Sequence, residues 1–384
     1  MPSRLDILYF IAEALRGDTR FPDRFHGHAR SRIDWEQIVH AANIHLLTPA
    51  LWTGLQRHGV SKCLPEDVRD YLAELHELST ARNQALRHQT LHALGLLEDA
   101  GIPTVLMKGA AYLFTGEFPD PADRIMSDID VLVPGWRAGA ALETLMAGGY
   151  LSTADSGTEY DGHRHLPPLV RNGDYAAIEI HTALLPAHLE MLLPEEETWQ
   201  QAESLETAGQ RIRVLSPHAR ILVNFAHAQL VDRGHGKGFI PLRSLFETWC
   251  VIRRQRENLD WDWLQERIRE GGQKDAYDAY LQLLGDLFGE TADGWQPTRQ
   301  SRLHALRCRT QWRWPVAARL GRSIYRHFGR ESMRRQGLPA DTVAATWISR
   351  ARNLPRFLHS TLTGSGRQKW MAKTQPAEPP AEKP

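Results

Sequence analysis

The stretch IPTVLMKGAAYLFTGEFPDPADRIMSDIDVLVP, residues 102–134, decides the fold. Its opening, IPTVLM (102–107), is short and apolar, sits between Gly101 and Gly109, and predicts a strand. AAYLFTGE (110–117) follows as a short helix. SDIDVLVP (127–134) alternates in polarity and is β-branched, so it predicts a second strand, ended by Pro134. Downstream, WRAGAALETLMAGGY (136–150) is an amphipathic helix closed by Gly148 and Gly149. HRHLPPLVRNGDYAAIEIHTAL (163–184) then reads as two strands about an Asn172-Gly173 turn. Strand, helix, strand, helix and hairpin in that order indicate a mixed α/β (α+β) fold with a small mixed sheet.

The flanks are helical. Leu8, Ile11 and Leu15, then Ile38, Ala41, Ile44 and Leu47, recur at three- and four-residue steps. A long helix is expected from Pro65 to about Ala100, with proline in its first turn and Gly101 beyond its end. Beyond Ser216, Pro217 opens a helix faced by Leu222, Phe225, Ala226 and Leu230. Further helices are expected near 240–253, 260–271, 273–288 and 313–330. The division that follows is a helical N-terminal region (1–95), an α/β core (96–215), a helical C-terminal domain (216–360) and a disordered tail (361–384) rich in Gly, Pro and Lys.

With 384 residues there is length for two or three domains. The three cysteines, Cys63, Cys250 and Cys308, are far apart, which excludes a zinc ribbon or disulfide framework. The apolar start lacks a basic leader and a cleavage site, and no run of eighteen uncharged apolar residues occurs, so a cytoplasmic setting is expected. Net charge is zero, but between Arg299 and Arg356 fourteen arginines face two acids, Glu331 and Asp341. The tryptophans of the C-terminal half, among them Trp249, Trp263, Trp295 and Trp314, are expected to fill the helical core, with a stacking platform as the alternative.

Asp128 and Asp130 sit two apart on the second strand. Alternation puts both carboxylates on one face, with Ile129 towards the core. Clustered carboxylates repel unless a cation lies between them, and hard cations such as Mg2+ or Mn2+ take oxygen ligands together with substrate phosphates. Glu179, in AAIEIHT, is the natural third acid and metal ligand. On the Asp pair alone, turn capping and solvation compete with this reading. Context favours chemistry. Lys108, Gly109 and Ala110 stand where a strand passes into a helix, and a helix start suits phosphate. Arg124 is placed to meet a triphosphate, or else to form a loop ion pair. Ser127 either orients a carboxylate or caps the strand.

Other residues are less determinate. His181 shares a strand face with Glu179 and either orients that acid, meets the acceptor or is a partly buried strand histidine. His227 faces the cleft or the core. Glu247 is an acceptor-side base or a solvated helix acid. Asp161, His163 and His165 have alternate spacing that could hold a metal, though an acceptor-binding role or plain exposure competes. GHGKG (234–238) lacks the phosphate-loop pattern and reads as a flexible connection or lid.

The combination VLMKGAAYLF, RIMSDIDVLV, HLPPLV and AAIEIHTAL resembles the nucleotidyltransferase superfamily, over roughly residues 95–290. It is closest to a bacterial nucleotidyltransferase-like family with LKG, R-x-x-SDID and acid-x-His motifs. The resemblance implies a metal at Asp128 and Asp130, a third acid at Glu179 and a phosphate-binding turn at Gly109. One departure stands out: the superfamily turn has Gly-Ser or Gly-Gly where this chain has Gly109-Ala110. The implied reaction moves a nucleoside monophosphate from a nucleoside triphosphate to a small-molecule, sugar or peptide acceptor, with pyrophosphate leaving. The alternative is a nucleotide-binding or scaffold protein that kept the fold and lost the chemistry. Nucleic acid is not the expected partner, because net charge is zero and no RNA-binding motif is recognisable.

Val316, Leu320, Ile324 and Phe328 recur every four residues, flanked by Arg319, Arg322, Arg326 and Arg330. This basic amphipathic helix is expected to pack its stripe on the helical domain. An anionic acceptor or an anionic membrane surface are its other possible partners.

Overall fold

The computed structural model describes residues 3–17, 19–25, 33–153 and 165–328. The chain divides into two compact units, residues 1–235 with 240–306 and residues 236–239 with 307–384. In the first unit, α1 (Arg4–Arg16) opens on a capping box in which Ser3 and Asp6 satisfy each other's backbone N–H groups. Helices α2 (Trp35–Ile44), α3 (Thr48–Arg57) and the long α4 (Glu66–Asp99) follow. The last starts after Pro65 and stops just before Gly101, whose φ of 63° takes the left-handed turn.

A single seven-stranded mixed sheet forms the centre of this unit. Its strands are β1 (Val105–Leu106), β2 (Asp128–Leu132), β3 (Leu151–Ser152), β4 (Leu169–Val170), β5 (Ala177–His181), β6 (Ala202–Thr207) and β7 (Gln210–Leu215). The order across the sheet is β3-β4-β5-β2-β1-β7-β6. β2 is central, parallel to β5 and antiparallel to β1. Ile129, Val131, Ile178 and Ile180 are fully buried on one face, under α4, α5 (Lys108–Thr115) and α6 (Ala138–Ala147). Period-two alternation therefore turns Asp128, Asp130, Glu179 and His181 to the other face.

Two features of the sheet differ from the sequence-based expectation. β1 keeps only two of the six residues of IPTVLM; Pro103 offers no N–H to a ladder. The β6–β7 hairpin was not expected at all. It turns at Ala208-Gly209, with φ of 49° and 78°, a two-residue turn in which alanine replaces the usual Asn or Asp. The Asn172-Gly173 turn is present between β4 and β5, with Asp174 N–H donating to Arg171 O at 3.1 Å.

Helix α7 (Glu195–Gln200) precedes that hairpin. Helix α8 (Pro217–Phe225), N-capped by Ser216, runs into a π-helical turn, Ala226–Val231. Residues Gly234–Lys237 of GHGKG form the one-turn helix α9, not a featureless loop. Then come α10 (Leu242–Gln255), α11 (Trp261–Glu270), α12 (Lys274–Phe288) and α13 (Arg299–Arg313).

The second unit contains the end of α13 and α14 (Pro315–Phe328). Arg307 donates to Gly236 O at 2.6 Å, and Phe239 lies against Trp312. On α14, Val316, Leu320 and Ile324 are 66%, 44% and 44% exposed. Trp314 is exposed too, whereas Trp249 is buried. Arg330 and residues 361–384 lie outside the described residues. No helix among the described residues is long and apolar enough to cross a membrane.

Candidate active site

The site is built on the register of two parallel strands. Asp130 on β2 is the direct partner of Glu179 on β5, and Leu132 is the partner of His181. Side chains one register step of two apart share a face and reach each other diagonally. His181 Nε2 lies 2.7 Å from Asp130 Oδ1 and 3.5 Å from Glu179 Oε2. A carboxylate only accepts, so the proton on that nitrogen belongs to the histidine. The ligand atoms of Asp130, Glu179 and His181 all lie within 4.8 Å of one another. Asp128, two residues earlier on the same face, stands beside this trio rather than within it.

A fourth group enters from the first residue of α5. Lys108 Nζ lies 2.6 Å from Asp130 Oδ1. Lys108 has a φ of 45°, left-handed backbone that a non-glycine residue adopts at a cost of about 1–3 kcal/mol. That conformation lets the chain turn from β1 straight into α5, with Lys108 over the acid cluster.

Burial and charge set the protonation of these groups. Burial, then the carboxylates of Asp130 and Glu179, push Asp128 above the usual carboxylate range, and Lys108 and Ser127 only partly oppose them. Burial also acts to raise Asp130, which is 1% exposed, but the His181 hydrogen bond and the Lys108 ammonium outweigh it and hold Asp130 low. The His181 bond holds Glu179 low against burial. His181 itself is 2% exposed; burial acts to lower it, and its bonds to Asp130 and Glu179 more than compensate, raising it. At this depth the carboxylates of Asp130 and Glu179 lie within 2.7 and 3.5 Å of its Nε2.

Three carboxylates thus share one half-buried face, with Lys108 and His181 as counter-charges. That oxygen-rich donor set, with Asp128 pushed above the usual carboxylate range by burial and its acidic neighbours, suits a hard divalent cation. A second convergent group, His76, Asp120 and Asp123, also lies within 4.8 Å. Its central acid is already committed. Asp123 accepts from Thr53 Oγ1 at 2.6 Å and from Asp120 N–H at 3.2 Å. This group belongs to a clamp on the segment leading into β2. In that clamp Ser79 donates to Ala122 O, and Asn83 donates to Pro121 O and Arg124 O, all from α4.

The turn at Lys108–Ala110 is closely packed. Gly109 stands at the turn for which the resemblance implies phosphate binding. A Cβ there would lie 3.0 Å from Met126 Sδ and 3.4 Å from Arg124 Nη2. Glycine is therefore needed for internal packing, and the Arg124 guanidinium lies against the turn. Ala110 is fully buried in the apolar core, so its side chain is a packing group. Only its backbone N–H is left to serve an anion. A serine hydroxyl at this position would have to point into the core.

Glu247, expected as an acceptor-side base or solvated acid, is buried between two cations. Its Oε1 lies 2.8 Å from Arg124 Nε and 2.9 Å from Arg243 Nε. Arg243 Nη2 also donates to Ile125 O at 2.8 Å. The C-terminal helix α10 thereby grips the approach to Asp128. Sequence reading missed Arg243; its signal was the Arg243–Glu247 spacing of four on one helix face. His227 lies half-buried in the π-helical turn. His165 bridges to His181, with ring centroids 5.5 Å apart, while Asp161 and His163 lie outside the described residues.

No curated protein and no solved structure matches the chain. A family model described as an uncharacterised nucleotidyltransferase matches residues 31–289, well over half of the chain and all of the sheet and its acid cluster. The chain is thus a member of that uncharacterised nucleotidyltransferase family, and its general chemistry is nucleotidyl transfer.

Proposed function

We propose that the protein is a metal-dependent enzyme that transfers a nucleoside monophosphate from a nucleoside triphosphate to the hydroxyl or phosphate of a small-molecule, sugar or peptide acceptor, releasing pyrophosphate. The observation that supports this most is the convergence of Asp128, Asp130 and Glu179 on one sheet face beside the Lys108–Gly109 turn. Asp128, Asp130 and Glu179 are the residues that would hold Mg2+ or Mn2+. When bound, the ion would offset triphosphate charge and stabilise the charge that develops during transfer. Lys108 and Arg124 bind phosphate, and the first-turn N–H groups of α5 add to the same positive field. Ser127 steadies Asp128. His181 keeps Asp130 and Glu179 ionised and oriented. Glu247 positions Arg124 rather than acting as a base. His227 remains a candidate on the acceptor side.

The Lys108–Asp130 ion pair favours a second reading, since a lysine already neutralises the central acid. On that reading the protein binds nucleotide without turnover. One experiment separates the two. The protein is incubated with each labelled triphosphate and Mg2+ in cell extract, and nucleotidylated products, including the protein itself, are sought by mass spectrometry alongside pyrophosphate. Transfer of label with pyrophosphate release supports the enzyme. Binding with neither product supports the second reading.

A further inference from the structure

Helix α14 presents two apolar tracks with different fates. One is used inside its own unit. A Cβ on Gly321 would collide with the Gln311 side chain, and the Tyr325 ring lies over Gly236. The other track, Val316, Leu320 and Ile324, points to solvent. Successive members are four residues apart, so they form one continuous line along a helix about 21 Å long. Trp314, at the head of the helix, is exposed as well. Arg319, Arg322 and Arg326 are exposed along the opposite flank. Neither α13 nor α14 contains a single Asp or Glu.

Exposed apolar surface is unfavourable in water, and a uniform run of positive charge beside it selects what covers it. Nucleic acid would neutralise the arginines but leave the stripe wet. A bilayer with anionic headgroups meets both needs. The stripe enters the acyl boundary, the arginines reach the phosphates, and an exposed tryptophan sits at headgroup level. At 14 residues α14 is too short to span, since crossing takes about 20. We propose that α14 is an interfacial helix that docks the protein on an anionic lipid surface.

The test uses the full-length protein and vesicles of phosphatidylcholine alone or mixed with phosphatidylglycerol, sedimented at low and physiological salt. Tryptophan quenching by brominated lipid is read in parallel, with Trp314→Phe as control. The proposal expects binding only to the mixed vesicles, weakened by salt. It expects at least about tenfold weaker partitioning for Arg319→Gln/Arg322→Gln/Arg326→Gln, because each arginine adds attraction near an anionic surface. A similar loss is expected for Leu320→Asp/Ile324→Asp. Quenching should fall in Trp314→Phe. Failure to bind mixed vesicles overturns the proposal. So does binding that survives both sets of substitutions. Binding that needs the arginines but not Leu320 and Ile324 also overturns it, leaving adsorption without docking. The same holds if the stripe substitutions change the oligomeric state by light scattering without changing vesicle binding, since a second copy would then be what covers the stripe.

Discussion

His181 and Asp130 stand on neighbouring parallel strands, one register step of two apart, and the imidazole Nε2 lies 2.7 Å from the carboxylate Oδ1. Together with Lys108 this bond keeps a nearly inaccessible acid ionised. Replacing the ring by His181→Phe removes the donor while keeping an aromatic of similar size. The variant should lose about 1–3 kcal/mol of stability in urea unfolding, the cost of stranding a buried polar group. Turnover should fall with it. Unchanged stability would mean that Asp130 is served by Lys108 alone.

Asp123 provides a test by pH. Burial pushes its carboxyl up to about 7, against the Thr53 hydrogen bond. Its pKa is raised on folding, so its contribution to stability is fully present below the unfolded value and is lost as pH rises through the folded one. Unfolding free energy should therefore decline from about pH 4 to 7, by up to about 1.4 kcal/mol per unit from this group. Chemical denaturation across that range should show the decline, and Asp123→Asn should flatten it. An equal slope in the variant would sink the assignment.

The Arg124–Glu247–Arg243 cluster should behave as a buried ion pair. Glu247→Leu leaves two guanidinium groups facing each other without their shared carboxylate, and should cost about 3–5 kcal/mol in urea unfolding. Adding Arg243→Met should recover part of that loss, because one uncompensated charge is removed. A cost below about 1 kcal/mol, the range of exposed pairs, would show that the cluster is solvated.

Glu179→Gln should damage turnover more than nucleotide binding, since Glu179 lies across from Asp130 and is proposed to position the metal against the acceptor. Steady-state kinetics and direct binding distinguish the two. Weakened binding with unchanged turnover at saturation would contradict that role.

Much of the fold was legible because its signals are local. The alternation in SDIDVLVP, the Asn172-Gly173 turn and the long repeat after Pro65 each specify an element without help from the rest of the chain. The short β1 was over-read because apolar residues mark burial as readily as strand. The β6–β7 hairpin escaped because Ala208 carries the positive φ that Asn or Asp would have announced. At the site, residue types and strand face could be read for Asp128, Asp130 and Glu179. What could not be read was partnership. Glu247 looks like a surface helix acid until the fold brings Arg124 to it, and nothing in the sequence shows that Met126 packs against Gly109. Sequence reasoning from charge repulsion treats Asp128 and Asp130 alike. The structure separates them, because Asp130 has two counter-charges while Asp128 is raised by burial and its acidic neighbours.

That asymmetry makes Asp128 the cleanest probe of the proposed metal and triphosphate site. Its raised pKa means that its ionised form weakens the metal-free fold at neutral pH, so Asp128→Asn should be as stable as the parent or more so. Asp130→Asn, by contrast, should lose stability with its ion pairs. The decisive measurement is calorimetric titration of nucleoside triphosphates with Mg2+ into the parent protein and into Asp128→Asn, with melting temperatures taken on both. Loss of Mg2+-dependent triphosphate binding in a variant that melts no lower than the parent is the predicted result. Asp128→Asn that binds triphosphate with Mg2+ as tightly as the parent would contradict the site.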